Sequence, residues 1–201
     1  MIKIATYVFL LLGYVAGTAT LAQTETYLSE NGTNADTTRG ESRLLRYDPE
    51  DFPVEVFVPR PAQVSGGEEA QETVRRAFRA WQEAAPDLVS FTFLEEPDED
   101  ALVVNWQPLE GRAGSYRYRF SVQADGRYDY SATSVILDPT TELDALYRFA
   151  VLQVGHALGL FGRSPFEGDA LSAIPSGEIT VRDVATLRAL YALPSGTILR
   201  E

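Results

Sequence analysis

Apolar and polar residues alternate over 54–58 (Val-Glu-Val-Phe-Val) and the run stops at Pro59, which predicts a half-buried strand. Over 68–85 the period changes. Ala70, Val74, Ala77, Phe78, Trp81 and Ala84 recur every three or four residues with Glu and Arg between them, the stripe of an amphipathic helix with Trp81 as its core anchor. Residues 88–94 and 101–106 read as two more strands, separated by the acidic run 95–100. That run lacks the spacing of a calcium loop and reads as a solvated turn. Segments 115–124 and 127–137 flank Asp125-Gly126, a dipeptide suited to a two-residue hairpin. Within the first of them, Tyr116, Arg117, Tyr118 and Arg119 alternate, as expected for a binding surface or for one face of an open sheet.

Helical spacing returns over 142–158 through Leu143, Leu146, Tyr147, Ala150, Val151, Val154 and Leu158, and Gly159 supplies a stop. A last helix is predicted from Thr180, where Thr180 and Asp183 approximate a capping box, to just before Pro194. The pattern contains no internal repeat and describes one domain.

Before that domain, a basic start, an apolar run over 4–15 and small residues up to Ala22 have the layout of a secretory signal. About a dozen apolar residues fall short of the roughly 20 that span a bilayer, so contact with a membrane is expected only if this segment stays uncleaved. The expected divisions are a signal at 1–22, a flexible leader or linker at 23–45 and the folded domain at 46–201. Polar composition is the reason for reading the leader as flexible. Its Asn31-Gly32-Thr33 has the form of a glycosylation acceptor. Export implies a periplasmic or extracellular protein.

Composition then narrows the chemistry. The chain has 201 residues with 17 Lys+Arg against 29 Asp+Glu, a net charge of −12, no Cys and one His. A chain this acidic, without a basic stripe, repels nucleic-acid phosphates. Thiol catalysis and disulfides are impossible. Any metal site has to be completed by carboxylates around His156.

The order of elements, the Ala-Phe-Arg-Ala-Trp segment ending at Trp81, Asn105-Trp106, the segment Gly155-His156-Ala157-Leu158-Gly159-Leu160 and the closing 182–191 together resemble the matrixin branch of the metzincin zinc peptidases. The resemblance implies an α+β fold: a twisted, mostly parallel five-stranded sheet with one antiparallel edge strand, two long helices on it and a C-terminal helix. Members carry His-Glu-x-x-His-x-x-Gly-x-x-His, in which two histidines one helical turn apart and a third beyond a glycine hold zinc and the Glu acts as general base. In this chain Leu152 and Gly162 stand at two ligand positions, Gln153 at the base, His156 at the remaining ligand and Gly159 at the turn. Leu171 stands where the family places a methionine beneath the metal.

Leu152 and Gly162 offer no donor atom, and a neutral Gln amide takes no proton from water. The resemblance therefore implies a catalytically silent relative, binding no zinc unless Asp169 or Glu167 rebuilds a site with His156. A silent relative can keep the family's peptide-binding edge, expected at 115–122, because pairing backbone to backbone requires no metal. The other readings are a weakly active peptidase with such a rebuilt site and a structural or interaction module of the cell envelope.

Overall fold

A computed structural model describes residues 24–31, 33–36, 41–62, 65–110 and 114–199. The segment read as a signal, 1–22, lies outside them. After two short strands, β1 (Thr33–Asp36) and β2 (Glu41–Arg43), come β3 (Val54–Phe57), α1 (Gly67–Ala84), β4 (Phe91–Leu94) and β5 (Leu102–Trp106). A hairpin of β6 (Ser115–Val122) and β7 (Tyr128–Leu137) is followed by α2 (Leu143–Ala157), α3 (Val181–Tyr191) and β8 (Ile198–Leu199).

The main sheet has the order β4-β3-β5-β7-β6. Its β3–β4, β3–β5 and β5–β7 pairs are parallel, and β6 joins β7 antiparallel at one edge. The described residues thus form an α+β domain with a five-stranded mixed sheet and three helices. Alternation decides which side is core: Val54, Val56, Leu102, Val104, Tyr130, Ala132 and Val135 are buried. Glu55, Thr92, Asn105, Arg117 and Arg119 are exposed. From the helices, Val74, Phe78, Trp81, Leu146, Val151 and Leu152 complete the core. Trp81 joins α1 to α2 directly, its Nε1 donating to Val151 O at 2.8 Å.

Two expectations change. The hairpin has a three-residue loop, because Gln123 N pairs with Arg127 O and Gly126 N with Gln123 O. Gly126, at φ +86°, takes the left-handed position that follows the turn. The second change concerns the leader. Residues 24–31 and 41–45 were expected to be flexible, yet Tyr27, Asn31, Leu44 and Leu45 are buried. β2 pairs with β8, and Leu44 N bonds Thr197 O, so this segment is tied to the far end of the chain. The polar composition misleads here because a few apolar anchors suffice when the rest of the domain supplies the partners. Asn31, the candidate glycosylation residue, has its amide nitrogen bonded to Tyr27 O at 2.8 Å inside the protein.

Candidate functional site

Helix α2 ends in a Schellman motif. Gly159, at φ +100°, lets its N–H reach His156 O at 3.0 Å and the Leu160 N–H reach Gly155 O at 3.1 Å. A side chain at Gly159 would also collide with the Leu45 carbonyl, so both conformation and space demand glycine there.

The same turn fixes His156. Its Nδ1 lies 2.5 Å from Leu160 O. A carbonyl only accepts, so Nδ1 carries the proton and Nε2 holds the lone pair. The ring is 5% exposed and stacks on Tyr116 with centroids 4.9 Å apart and planes at 26°. Burial pulls its pKa from 6.5 to about 4; the bond to Leu160 opposes that fall and the Arg163 charge adds to it. At neutral pH His156 is an uncharged imidazole with one nitrogen available as a donor to a ligand.

Its companions at the other positions have different occupations. Leu152 is fully buried in the core. Gln153 is 2% exposed, and its Oε1 has no hydrogen-bond partner among the described residues. Its side chain lies against Gly114, where a Cβ would fall 3.0 Å from Gln153 Cγ. At Gly162 any side chain would overlap the carbonyl of Glu30. The Gly162 N–H donates to Asn31 Oδ1 at 3.1 Å, so the segment ending at Asn31 covers Gly162. Leu171 is buried beneath α2; its Cδ1 and Trp81 Cζ2 come within 2.8 and 2.9 Å of where a Cβ on Gly155 would be.

The sequence singled out Tyr116 and Tyr118 as an alternating face but did not place them beside His156, and it gave no role to Phe161 or Tyr130. Tyr116 stacks on Phe161 (5.8 Å) as well as on His156, Tyr118 meets Phe161 at 5.1 Å, and Tyr130 meets Phe161 edge-on at 5.8 Å. Tyr116, pushed up to about 12 chiefly by burial and then by Tyr118, stays a neutral phenol; the Arg163 charge opposes that rise. A clue existed in the alternation Tyr116, Tyr118, Phe120, which turns one aromatic face of β6 toward α2.

A metal site rebuilt from Asp169 or Glu167 does not fit this arrangement. Asp169 is buried and both its oxygens are engaged: Oδ2 accepts from Ser164 Oγ at 2.6 Å, Oδ1 from Thr180 Oγ1 at 2.9 Å, and Arg182 contacts both. Glu167 is exposed. Among the described residues no group of three or more His, Asp or Glu side chains is placed to hold a metal ion. Asp169 instead anchors the turn that carries Leu171. Neighbouring Asp183 caps α3 through Thr180 N (2.8 Å) and accepts from Ala170 N (3.0 Å) and Tyr27 Oη (2.5 Å).

Tyr27 is the other residue the sequence did not reveal. Its N–H bonds Thr186 Oγ1 at 3.2 Å, and burial followed by the Asp183 charge raises its pKa far above that of a free phenol. The only signal was Tyr27-Leu28, an apolar pair in a polar leader.

A cavity of about 860 Å³ lies elsewhere, with Phe52, Glu55, Asp100, Arg119, Asp129 and Tyr130 among its walls. None of Leu152, Gln153, His156, Gly159 and Gly162 lines it, and four of its carboxylates already face arginines: Asp48 with Arg46 and Arg127, Glu50 and Asp129 with Arg127, and Asp100 with Arg119. Along β6, by contrast, one side pairs with β7 over all eight residues and the other side has no strand among the described residues. No protein-family model matches the chain, and no curated protein matches it.

Proposed function

We propose that the chain is an exported, matrixin-like domain that has lost hydrolysis and binds an extended peptide or protein segment along β6. The observation that carries this reading is the contrast between helix α2 and the strand β6 beside it. On the α2 side, the positions that the family uses for chemistry serve packing: Leu152 fills the core, Glu30 lies over Gly162, and His156 is buried under Tyr116 with no second donor. On the sheet side, β6 keeps an open edge whose backbone N–H and C=O groups can pair with an added strand. The zinc of the family does not fit these residues, and no chemical step is assigned to the site.

A second reading, a structural or interaction module of the cell envelope, draws on Tyr116 and Phe161. Tyr116 stacks on both His156 and Phe161, so the imidazole face is covered by this chain's own rings. The two readings separate by titration of the full chain with labelled extended peptides and with N-methylated versions that cannot pair. Binding by the first set and not the second supports strand addition. No binding by either favours the module.

A further inference from the structure

The edge strand carries a charge pattern opposite to that of the whole protein. Arg117 and Arg119 are exposed on β6, and Arg163, also exposed, comes two residues after Phe161, whose ring packs on Tyr116 and Tyr118. Among the described residues Arg117 and Arg163 form no ion pair. Among the described residues Arg163 bonds the Ser172 carbonyl, at 3.1 Å. Arg119 holds Asp100 at 2.7 Å with both side chains more than half exposed, a pair so solvated that a competing carboxylate displaces it at little cost. In a chain of net charge −12, two unpaired arginines and one weakly paired one beside a single strand edge form a local positive strip.

Geometry says where a partner's charges fall. Side chains of a strand added beside β6 alternate between the two faces, so every second residue lies level with Arg117 and Arg119. The residues between them face the cleft side, toward Tyr116 and Phe161. The strand is also held in place before binding: Tyr116 and Tyr118 are packed on His156 and Phe161, which limits the ordering cost when a partner docks.

We infer that the β6 edge selects an extended acidic peptide, with carboxylates at alternate positions facing Arg117 and Arg119, an apolar residue between them, and Arg163 attracting further negative charge. This inference rests on the strand-addition reading above and adds the chemical class of the partner.

The test uses the full chain and three labelled octapeptides, (Glu-Val)4, (Ser-Val)4 and (Lys-Val)4, followed by fluorescence polarisation at low and at high salt. The acidic peptide is expected to bind at least about tenfold tighter than the other two at low salt, with most of that margin lost at high salt. In Arg117→Glu/Arg163→Glu the preference is expected to vanish or reverse in favour of (Lys-Val)4, while the circular dichroism spectrum stays unchanged. If all three bind equally, or the basic one binds best, the acidic class is overturned and strand addition stands. If none binds, both fall. If N-methylated (Glu-Val)4 binds as tightly as the parent peptide, charge alone attracts it and pairing along β6 is overturned.

Discussion

Glu30 and Gly162 are in contact through space that no side chain can share: a Cβ on Gly162 would fall on the Glu30 carbonyl. Glycine at position 162 is therefore required by the segment 27–31 packed over it. Any larger residue there must displace residues 27–31.

Gly162→Ala makes that displacement measurable. Overpacking a fixed site costs about 1–3 kcal/mol. Part of the strain is relieved if the Leu28–Asn31 turn lifts away, so its amides are expected to exchange with solvent faster than in wild type while those of α1 and α2 keep their protection. Tyr27→Phe attacks the same segment from its other end. It removes the hydroxyl bonded to buried Asp183 and is expected to cost about 1–3 kcal/mol in chemical denaturation. If neither variant alters exchange at 27–31, the leader is not held by these contacts.

Much of the main domain was legible because periodicity reports burial directly. The stripe ending at Trp81, the Gly159 stop and the Thr180–Asp183 capping box all stand where the pattern placed them. The edge position of β6 came from the resemblance and not from the pattern. The leader was not legible, since Tyr27 and Asn31 derive their order from Asp183 and Gly162, more than a hundred positions away. Local composition carries no trace of a partner that distant. The surroundings of His156 were half legible: that Leu152 and Gly162 carry no donor side chain could be read from residue identities, whereas the Tyr116 ring over the imidazole follows from the β6–β7 register.

A pH titration tests that burial. His156 is the only histidine, so its ring protons give an isolated signal in an NMR spectrum. The folded protein is expected to titrate near pH 4, well below 6.5. A base whose pKa is depressed on folding binds its proton more readily in the unfolded chain. Stability is therefore full above about 6.5 and falls as pH drops toward 4, by about 3 kcal/mol in all for that gap. His156→Phe is expected to flatten this part of the stability profile. A ring that titrates at 6.5 in the folded state would show that Tyr116 does not exclude water from it.

Asp169 separates an anchoring role from a metal-binding one. Asp169→Asn keeps the shape but weakens the bonds from Ser164, Thr180 and Arg182, and is expected to cost about 3 kcal/mol because the Arg182 side chain loses its buried partner. Metal content after dialysis against zinc is expected to be the same for wild type, Asp169→Asn and His156→Ala. Loss of stoichiometric zinc in either variant would restore the rebuilt-site reading.

Gln153 distinguishes a residue kept for binding from one merely left in the helix. Its Oε1 is buried with no partner among the described residues, an arrangement that costs about 1–3 kcal/mol relative to an apolar group of the same shape. Gln153→Leu is therefore expected to stabilise the protein by about 1 kcal/mol, with affinity for a peptide along β6 unchanged. Gln153→Glu places a carboxylate in the same dry position, so it is expected to destabilise by about 2 kcal/mol or more at neutral pH and to recover as the pH falls and the acid takes up its proton. Thermal denaturation of both variants across pH 4–8 checks the pair. A destabilised Gln153→Leu that also binds peptide more weakly would mean that the amide bonds the bound segment, and the α2 side of the cleft would then belong to the binding surface.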